Sequence, residues 1–479
     1  MKKTRIDEMD RISELPEPIL HHILSFLPFK QVALTCVLSK KWEETWKRYP
    51  VFKIDESILC EDEQYREIRM KLINYLEQTL QNRHCKDLMS MEKFSIDTKL
   101  FDDRELASFV DRCICYAVGS NVKRLKLEFL SKRWYELEFG LRRNSWYDLP
   151  PIVLCAKSIE VLKLRGCKLE LPSKSNVKLL SLRRMHLVEV FSNSHVINNL
   201  LAGCPLIEEI GIWNCEGIES LELFGLERLN DIMIANNKEL KRVDMKKLNV
   251  SSLSIVRLLS IVRPFYFFVP FAIPFEINVT FCTNLKNLRF VEAYITDEWL
   301  CGLIYGLPLL ECLELRFCKK LKSIEISSPS LKTFSIFGCT YVVELKIDTL
   351  NLTHFTYDGG MIFLYLNALA LSYVDLSLSW TNLDTYWNAK FIELLAQFHK
   401  YSEMLGLRVS KNEFSYKKPL VYEEEISSCG KSLPISCWQY CIEEVKLEFN
   451  GYKGNSTKVY SLEGREFLEK IDGLCRLNV

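Results

Sequence analysis

The chain has 479 residues, 48% apolar content and a formal net charge of +1, enough material for one long core or several domains. That near-neutral balance argues against a nucleic-acid binder, which carries a marked basic excess or stripe. Its eighteen cysteines are scattered without a CxxC pair, so they read as reduced, mostly buried thiols rather than a disulfide framework.

The opening residues, MKKTRIDEMD, carry charge with no apolar run behind them, unlike a signal or transit peptide, and the expected location is cytosol or nucleus. Sequons at Asn249, Asn278, Asn351 and Asn455 then read as chance matches, because their modification needs the secretory route.

From Asp10 to Pro50 the pattern predicts three short helices. Ile19, Leu20, Ile23, Leu24, Phe26 and Leu27 recur at helical spacing. Pro16 and Pro18 mark the start of that helix and Pro28 its stop. A second apolar run, Val32 to Leu38, follows, and Ser39 can cap a third helix in which Trp42 and Trp46 lie one turn apart. A unit this small buries little of its own apolar surface, so exposed Leu, Ile and Pro in it invite a partner.

The DRIS-x-LP entry, the ILHHILSFLP helix and the VLSKKW exit resemble the F-box of plant F-box/leucine-rich-repeat proteins. The resemblance implies binding to the Skp-type adaptor of a cullin-RING ubiquitin ligase, and through it to a cullin. The adaptor contacts it implies are Leu15, Pro16, Ile19, Leu20, Ile23, Leu24, Leu27, Pro28, Val37, Leu38, Ser39 and Trp42, some of which must also hold the three helices together. The plainer alternative is a helical cap sealing the end of a repeat array.

Residues 61–84 are charged and helical in pattern, with Ile68, Leu72, Tyr75, Leu76 and Leu80 on one side. Asp102 to Val118 predicts a further helix, with Phe109, Cys113 and Tyr116 inward. From about residue 90 one spacing recurs: apolar, two residues, apolar, one residue, apolar. Examples are Met91/Phe94/Ile96, Val122/Leu125/Leu127, Val177/Leu180/Leu182, Ile210/Ile212 after Ile207, and Leu371/Val374/Leu376. So many copies in series are the strand signature of leucine-rich repeats, each short parallel strand feeding one continuous core. The segments Gly203–Leu223 and Gly306–Ile326 align without gaps, placing Cys215 and Cys318 at matched positions, where they read as small buried groups.

Strand positions from Ile210 to Leu253, and again from Leu313 to Phe355, advance by only ten or eleven residues. Ten residues cannot close a solenoid coil that contains a helix. Two such steps therefore make one coil of about 21 residues with parallel strands on both faces, and longer steps carry a helix or an insertion. The expected class is α/β: an F-box at 8–52, a linker helix at 53–90, a solenoid at 91–384, and an α/β C-terminal region at 385–479. Within that region Phe391 to Tyr401 reads as helix, while LGLRVS and IEEVKLEF read as strands. The tail from Cys437 loosely resembles the FBD region of many plant relatives, a strand, a glycine turn and a helix, or else an irregular cap.

Chemistry is sparse. No HExxH, GxSxG or GxGxxG string occurs, and the seven histidines are dispersed. The reading is a non-enzyme with no catalytic residues, cofactor or metal. Outward strand positions are Lys126, Lys163, Arg289 and Lys346, and Glu222, Asp244, Glu314, Glu325 and Asp375. Mixed signs favour a protein ligand over nucleic acid. The insertion from Arg263 to Phe281 offers Phe265, Tyr266, Phe267, Phe268 and Phe271 as an aromatic target-binding rim, or as a loop packed on the solenoid edge; a second insertion runs from Ser131 to Pro151. The aromatic run is too short and proline-broken to span a membrane. The function expected by resemblance is the substrate-recognition subunit of an SCF-type ligase holding an unknown target protein, with a non-ligase repeat scaffold or a small-molecule receptor within the ligase as alternatives.

Overall fold

A computed structural model describes residues 12, 14–55, 74, 77–78, 91–98, 104–129, 146–171, 177–246, 248–256, 276–278, 282–380, 394, 404–411, 445–450 and 457–462. The chain forms two units, Met1–Leu229 with Asn237–Leu240, and Asn230–Asn236 with Lys241–Val479.

The first unit opens with α1 (Glu17–Ser25), α2 (Phe29–Leu34) and α3 (Lys40–Arg48). Pro16 and Pro28 sit at the N-caps of α1 and α2, where a missing N–H costs nothing. Ser39, extended, accepts a hydrogen bond from the Trp42 amide at 3.3 Å, as a helix cap should. Leu20, Leu24, Val32, Trp42, Trp46 and Tyr49 fill the small core between the helices.

Strands then follow: β1 (Val51–Asp55), β2 (Lys93–Thr98), β3 (Arg124–Phe129), β4 (Tyr147–Asp148), β5 (Val161–Arg165), β6 (Cys167–Lys168), β7 (Arg184–Val188), β8 (Glu209–Trp213) and β9 (Ser220–Phe224). The helices α4 (Arg104–Gly119) and α5 (Ser194–Ala202) lie between them in sequence. β1, β2, β3, β5, β7 and β8 pair in parallel, in that order. Each turns alternate side chains inward, as in Leu125, Leu127 and Phe129 of β3. In α4, Phe109 and Cys113 are fully buried and Tyr116 is half-buried.

The structure departs from the spacing pattern at two places. The sheet begins at Val51, directly after α3, because Tyr49, Phe52 and Ile54 already carry the repeat spacing. The triplet Val177/Leu180/Leu182 is not a strand: Leu180 is 46% exposed, and the strand is β7, built on Leu182, Met185 and Leu187. The predicted helix at 61–84 lies outside the described residues, except that Asn74, Glu77 and Gln78 are helical.

In the second unit the strands are β10 (Asp231–Ala235), β11 (Arg242–Lys246), β12 (Ser252–Val256), β13 (Glu276–Asn278), β14 (Asn287–Val291), β15 (Cys312–Arg316), β16 (Ser323–Ser327), β17 (Thr333–Phe337), β18 (Glu344–Asp348), β19 (His354–Gly359), β20 (Phe363–Asn367), β21 (Tyr373–Trp380), β22 (Met404–Lys411), β23 (Val445–Asn450) and β24 (Thr457–Leu462), with α6 (Asp297–Tyr305) after β14. β10, β12, β14, β15, β17, β19, β21 and β22 form one parallel sheet. The intervening β16, β18 and β20 pair with one another on a separate sheet, as do β11 and β13. Two short steps do make one coil with a strand on each face. At the C-terminal end β23 and β24 form an antiparallel hairpin, so a strand stands where a helix was expected after the glycine turn. The predicted helix from Phe391 to Tyr401 lies outside the described residues, apart from the helical Leu394.

Two features repeat from coil to coil. Just past the main-sheet strands, Gly166, Glu189, Asn214, Asn236, Glu292, Phe317 and Gly338 all have φ between 51° and 69°. Glu292, Phe317 and Gly338 each donate their amide to the end of the next strand, at 2.7 to 2.8 Å. The ladder therefore imposes a left-handed residue whatever the side chain, at a cost that glycine and asparagine avoid. Beyond it, Cys167, Cys215, Cys318 and Cys339 are buried, and Asn237 takes the same place, donating to Ile212 O and accepting from Cys215 N. The thiols are small buried groups that also donate weakly, Cys215 to Leu187 O at 3.6 Å and Cys339 to Leu315 O at 3.9 Å.

Candidate functional site

The helical module divides the twelve residues assigned to it by resemblance. Leu20, Leu24 and Trp42 are inside its own core and hold the three helices together. Leu15, Ile23 and Ser39 are half-buried, and Pro16, Ile19, Leu27, Pro28, Val37 and Leu38 are exposed. In the nine-residue α1 this follows from helix geometry, since Leu20 and Leu24 share the inward stripe while Ile19 and Ile23 share the neighbouring one.

Exposure is highest at two corners. At the end of α1, Phe26 is 74% exposed beside Leu27 and Pro28; from the last residue of α2 into the link to α3, Leu34, Val37 and Leu38 are 58%, 77% and 66% exposed. Phe26, Leu34 and the exposed Ile12 were absent from the sequence-based set, although Phe26 and Leu34 belong to apolar runs that are longer than one inward stripe can absorb. Large apolar side chains are thus concentrated on the outside of a very small unit.

Surface ion pairs link α3 to α1 and run along α3. Arg48 at the end of α3 reaches Glu17 at the start of α1 at 3.3 Å. The Lys47 ammonium, hydrogen-bonded at 2.6 Å, holds the Glu43 carboxyl below its usual range. Burial raises the Tyr49 phenol. The module's core runs on into the sheet: Phe29 of α2 packs edge-on to Phe52 of β1 at 5.2 Å, and Phe52 stacks on Phe94 of β2 at 5.7 Å.

On the solenoid the outward charges are largely compensated by neighbours. Arg289 faces Glu314 on the next strand at 3.3 Å, Asp244 pairs with Arg242 at 2.6 Å and Lys346 with Glu344 at 3.4 Å. The aromatic rim of Phe265, Tyr266, Phe267, Phe268 and Phe271 lies outside the described residues, as do 131–145 of the second insertion. Among the described residues no group of three His, Cys, Asp or Glu side chains is placed to hold a metal ion.

The F-box domain model matches residues 12–54, and the model of the At1g61320/AtMIF1 LRR domain matches 80–262 and 270–418, more than half of the chain. The chain belongs to the plant F-box/leucine-rich-repeat family. As such a protein it is similar to the FBD-associated F-box protein At3g52670 of Arabidopsis thaliana, 26% identical over 301 residues covering 62% of each chain. It is also similar to two other Arabidopsis thaliana proteins. F-box/LRR-repeat protein At3g58930 is 28% identical over 47% of this chain and 46% of its own, and F-box/FBD/LRR-repeat protein At3g52680 is 30% identical over 46% and 45%. The matched segments thus span less than two thirds of these relatives. For an F-box/leucine-rich-repeat protein the exposed corners of the helical module are the candidate adaptor surface, and the outer solenoid faces the candidate target surface.

Proposed function

We propose that this chain is the substrate-recognition subunit of an SCF-type ubiquitin ligase. Its F-box binds a Skp-type adaptor, and through it a cullin, while its repeat solenoid holds a target protein. The single observation that supports this most is the state of the module: its core is complete with Leu20, Leu24, Val32, Trp42, Trp46 and Tyr49, yet Phe26, Leu34, Val37 and Leu38 remain outside it. Such a surface completes its burial against a second polypeptide. The chain contributes proximity rather than bond chemistry, raising the local concentration of a target lysine near a charged conjugating enzyme, and it works in cytosol or nucleus. Co-purification tests the reading. A Skp-type adaptor should be captured by the full chain and lost with Val37→Asp/Leu38→Asp; no capture by the unaltered chain removes the ligase assignment and leaves a repeat scaffold.

A further inference from the structure

On the outer face of the first unit the charges segregate by cross-strand row. β1, β2, β3 and β5 pair in register so that Lys53, Ser95, Lys126 and Lys163 stand side by side in one row. Lys93 and Arg124 pair in the adjacent row, which continues through Val161 to Arg184. Six cations thus share two rows of one sheet face, around a central Ser95 that is only 3% exposed.

Some of this charge is answered locally. Glu92 lies 2.9 Å from Arg124, Glu128 lies 2.5 Å from Lys126, and Glu209 stands in register beside Arg184. Among the described residues Lys93 and Lys163 have no carboxylate partner. Burial first, and then repulsion from Arg124, Lys126, Lys53 and Lys163, pushes the Lys93 ammonium below its ordinary value. Like charges at neighbouring strand positions weaken a sheet, so a cation row kept there is stabilised by an anion laid across it.

We infer that the face carrying Lys53, Lys93, Lys126 and Lys163 docks a short, extended acidic segment of the target protein. The inference deepens the target-binding reading above and rests on it. Charge complementarity selects carboxylates as the partner. Four strands at about 4.8 Å spacing span about 15 Å, the length of about four or five residues of extended chain. A nucleic-acid strand fits less well, since the next row carries Asp97 and Glu128, paired in register, against any continuing phosphate backbone.

Fluorescence anisotropy on the full chain tests this with labelled hexaglutamate, hexaglutamine and oligothymidine probes. Hexaglutamate should bind about tenfold more tightly than hexaglutamine at low salt, and the difference should vanish at high salt. Lys93→Gln/Lys163→Gln should weaken hexaglutamate about tenfold, Lys93→Arg/Lys163→Arg should retain it, and Lys332→Gln/Lys346→Gln in the second unit should leave it unchanged. Equal binding of the two peptides, an unaffected Lys93→Gln/Lys163→Gln variant, loss of binding with the arginine pair, or tighter binding of oligothymidine overturns the inference. Adaptor capture is scored on the same preparation: capture without peptide binding removes this inference alone, and peptide binding without capture removes the ligase reading alone.

Discussion

The Phe29 ring of the F-box meets the Phe52 ring of the first repeat strand at 5.2 Å, edge to face. Phe52 is fully buried and stacks in turn on Phe94, so the docking module and the start of the solenoid share one core. Phe52→Ala should cost about 3 to 5 kcal/mol. In chemical denaturation the half-buried Phe29→Ala should lower the same single transition by less. A Phe29→Ala protein that loses the helices first, with the repeat transition unmoved, contradicts a shared core.

The split between inward and outward F-box residues separates two kinds of variant. Leu20→Ala removes a fully buried side chain and should destabilise the protein by about 2 to 5 kcal/mol. Val37→Asp and Leu38→Asp should leave the melting temperature within a degree or two while weakening adaptor capture at least about tenfold, because exposed substitutions rarely disturb folding. Pull-down and thermal melting on the same preparations check both.

The left-handed ladder predicts opposite effects at two of its positions. At Gly166, φ is 69° and an added Cβ would lie 2.3 Å from the Phe129 carbonyl oxygen. Gly166→Ala should therefore destabilise by about 2 kcal/mol or more, since neither backbone can give way cheaply. Glu292, at φ 53°, is strained where glycine is not, and Glu292→Gly should raise stability by up to about 1 kcal/mol. Denaturation midpoints decide each.

Cysteine reactivity should follow burial. Burial pushes the Cys204 and Cys215 thiols up to about 12 and Cys282 up to about 11, so almost no thiolate forms at neutral pH. Cys115, Cys155 and Cys301 are exposed. Brief alkylation of the native protein, read by peptide mass spectrometry, should modify those three and spare Cys204, Cys215 and Cys282 until denaturant is added.

Glu311 gives a pH prediction. Hydrogen bonds from Lys332 at 2.8 Å and from Lys286 hold its carboxyl below its ordinary value. A carboxyl whose value falls on folding contributes stability above its unfolded value, and loses it as pH drops through the folded one. Glu311→Gln should therefore lower the melting temperature slightly at pH 7 and leave it unchanged near pH 2; an equal shift at both pH values argues against the ionic origin.

Much of this was legible in residue spacing, because a strand that buries every second side chain writes its period into the chain. The ten-residue steps even separated the two sheets of the second unit, since so short a step leaves no room for a helix. Spacing failed where two registers overlapped: Val177/Leu180/Leu182 and Leu182/Met185/Leu187 both fit, and only packing rejects Leu180. It failed again at β1, whose triplet opens on a tyrosine. In the F-box Ile19, Leu20, Ile23 and Leu24 of α1 all fit helical spacing, so periodicity could not separate Leu20 and Leu24 from Ile19 and Ile23. The lysine face was illegible for another reason: its members are far apart in the chain and become neighbours only through strand register.

Only Tyr49 and Pro50 separate the last F-box helix from β1, and Tyr49 is buried in the helical core. With no slack at that joint, the module cannot swivel about the sheet it adjoins. Cargo held on the β1–β5 face would be presented along one fixed bearing, not swept through a cone, so which of its amines comes within reach would be decided by geometry before any chemistry begins.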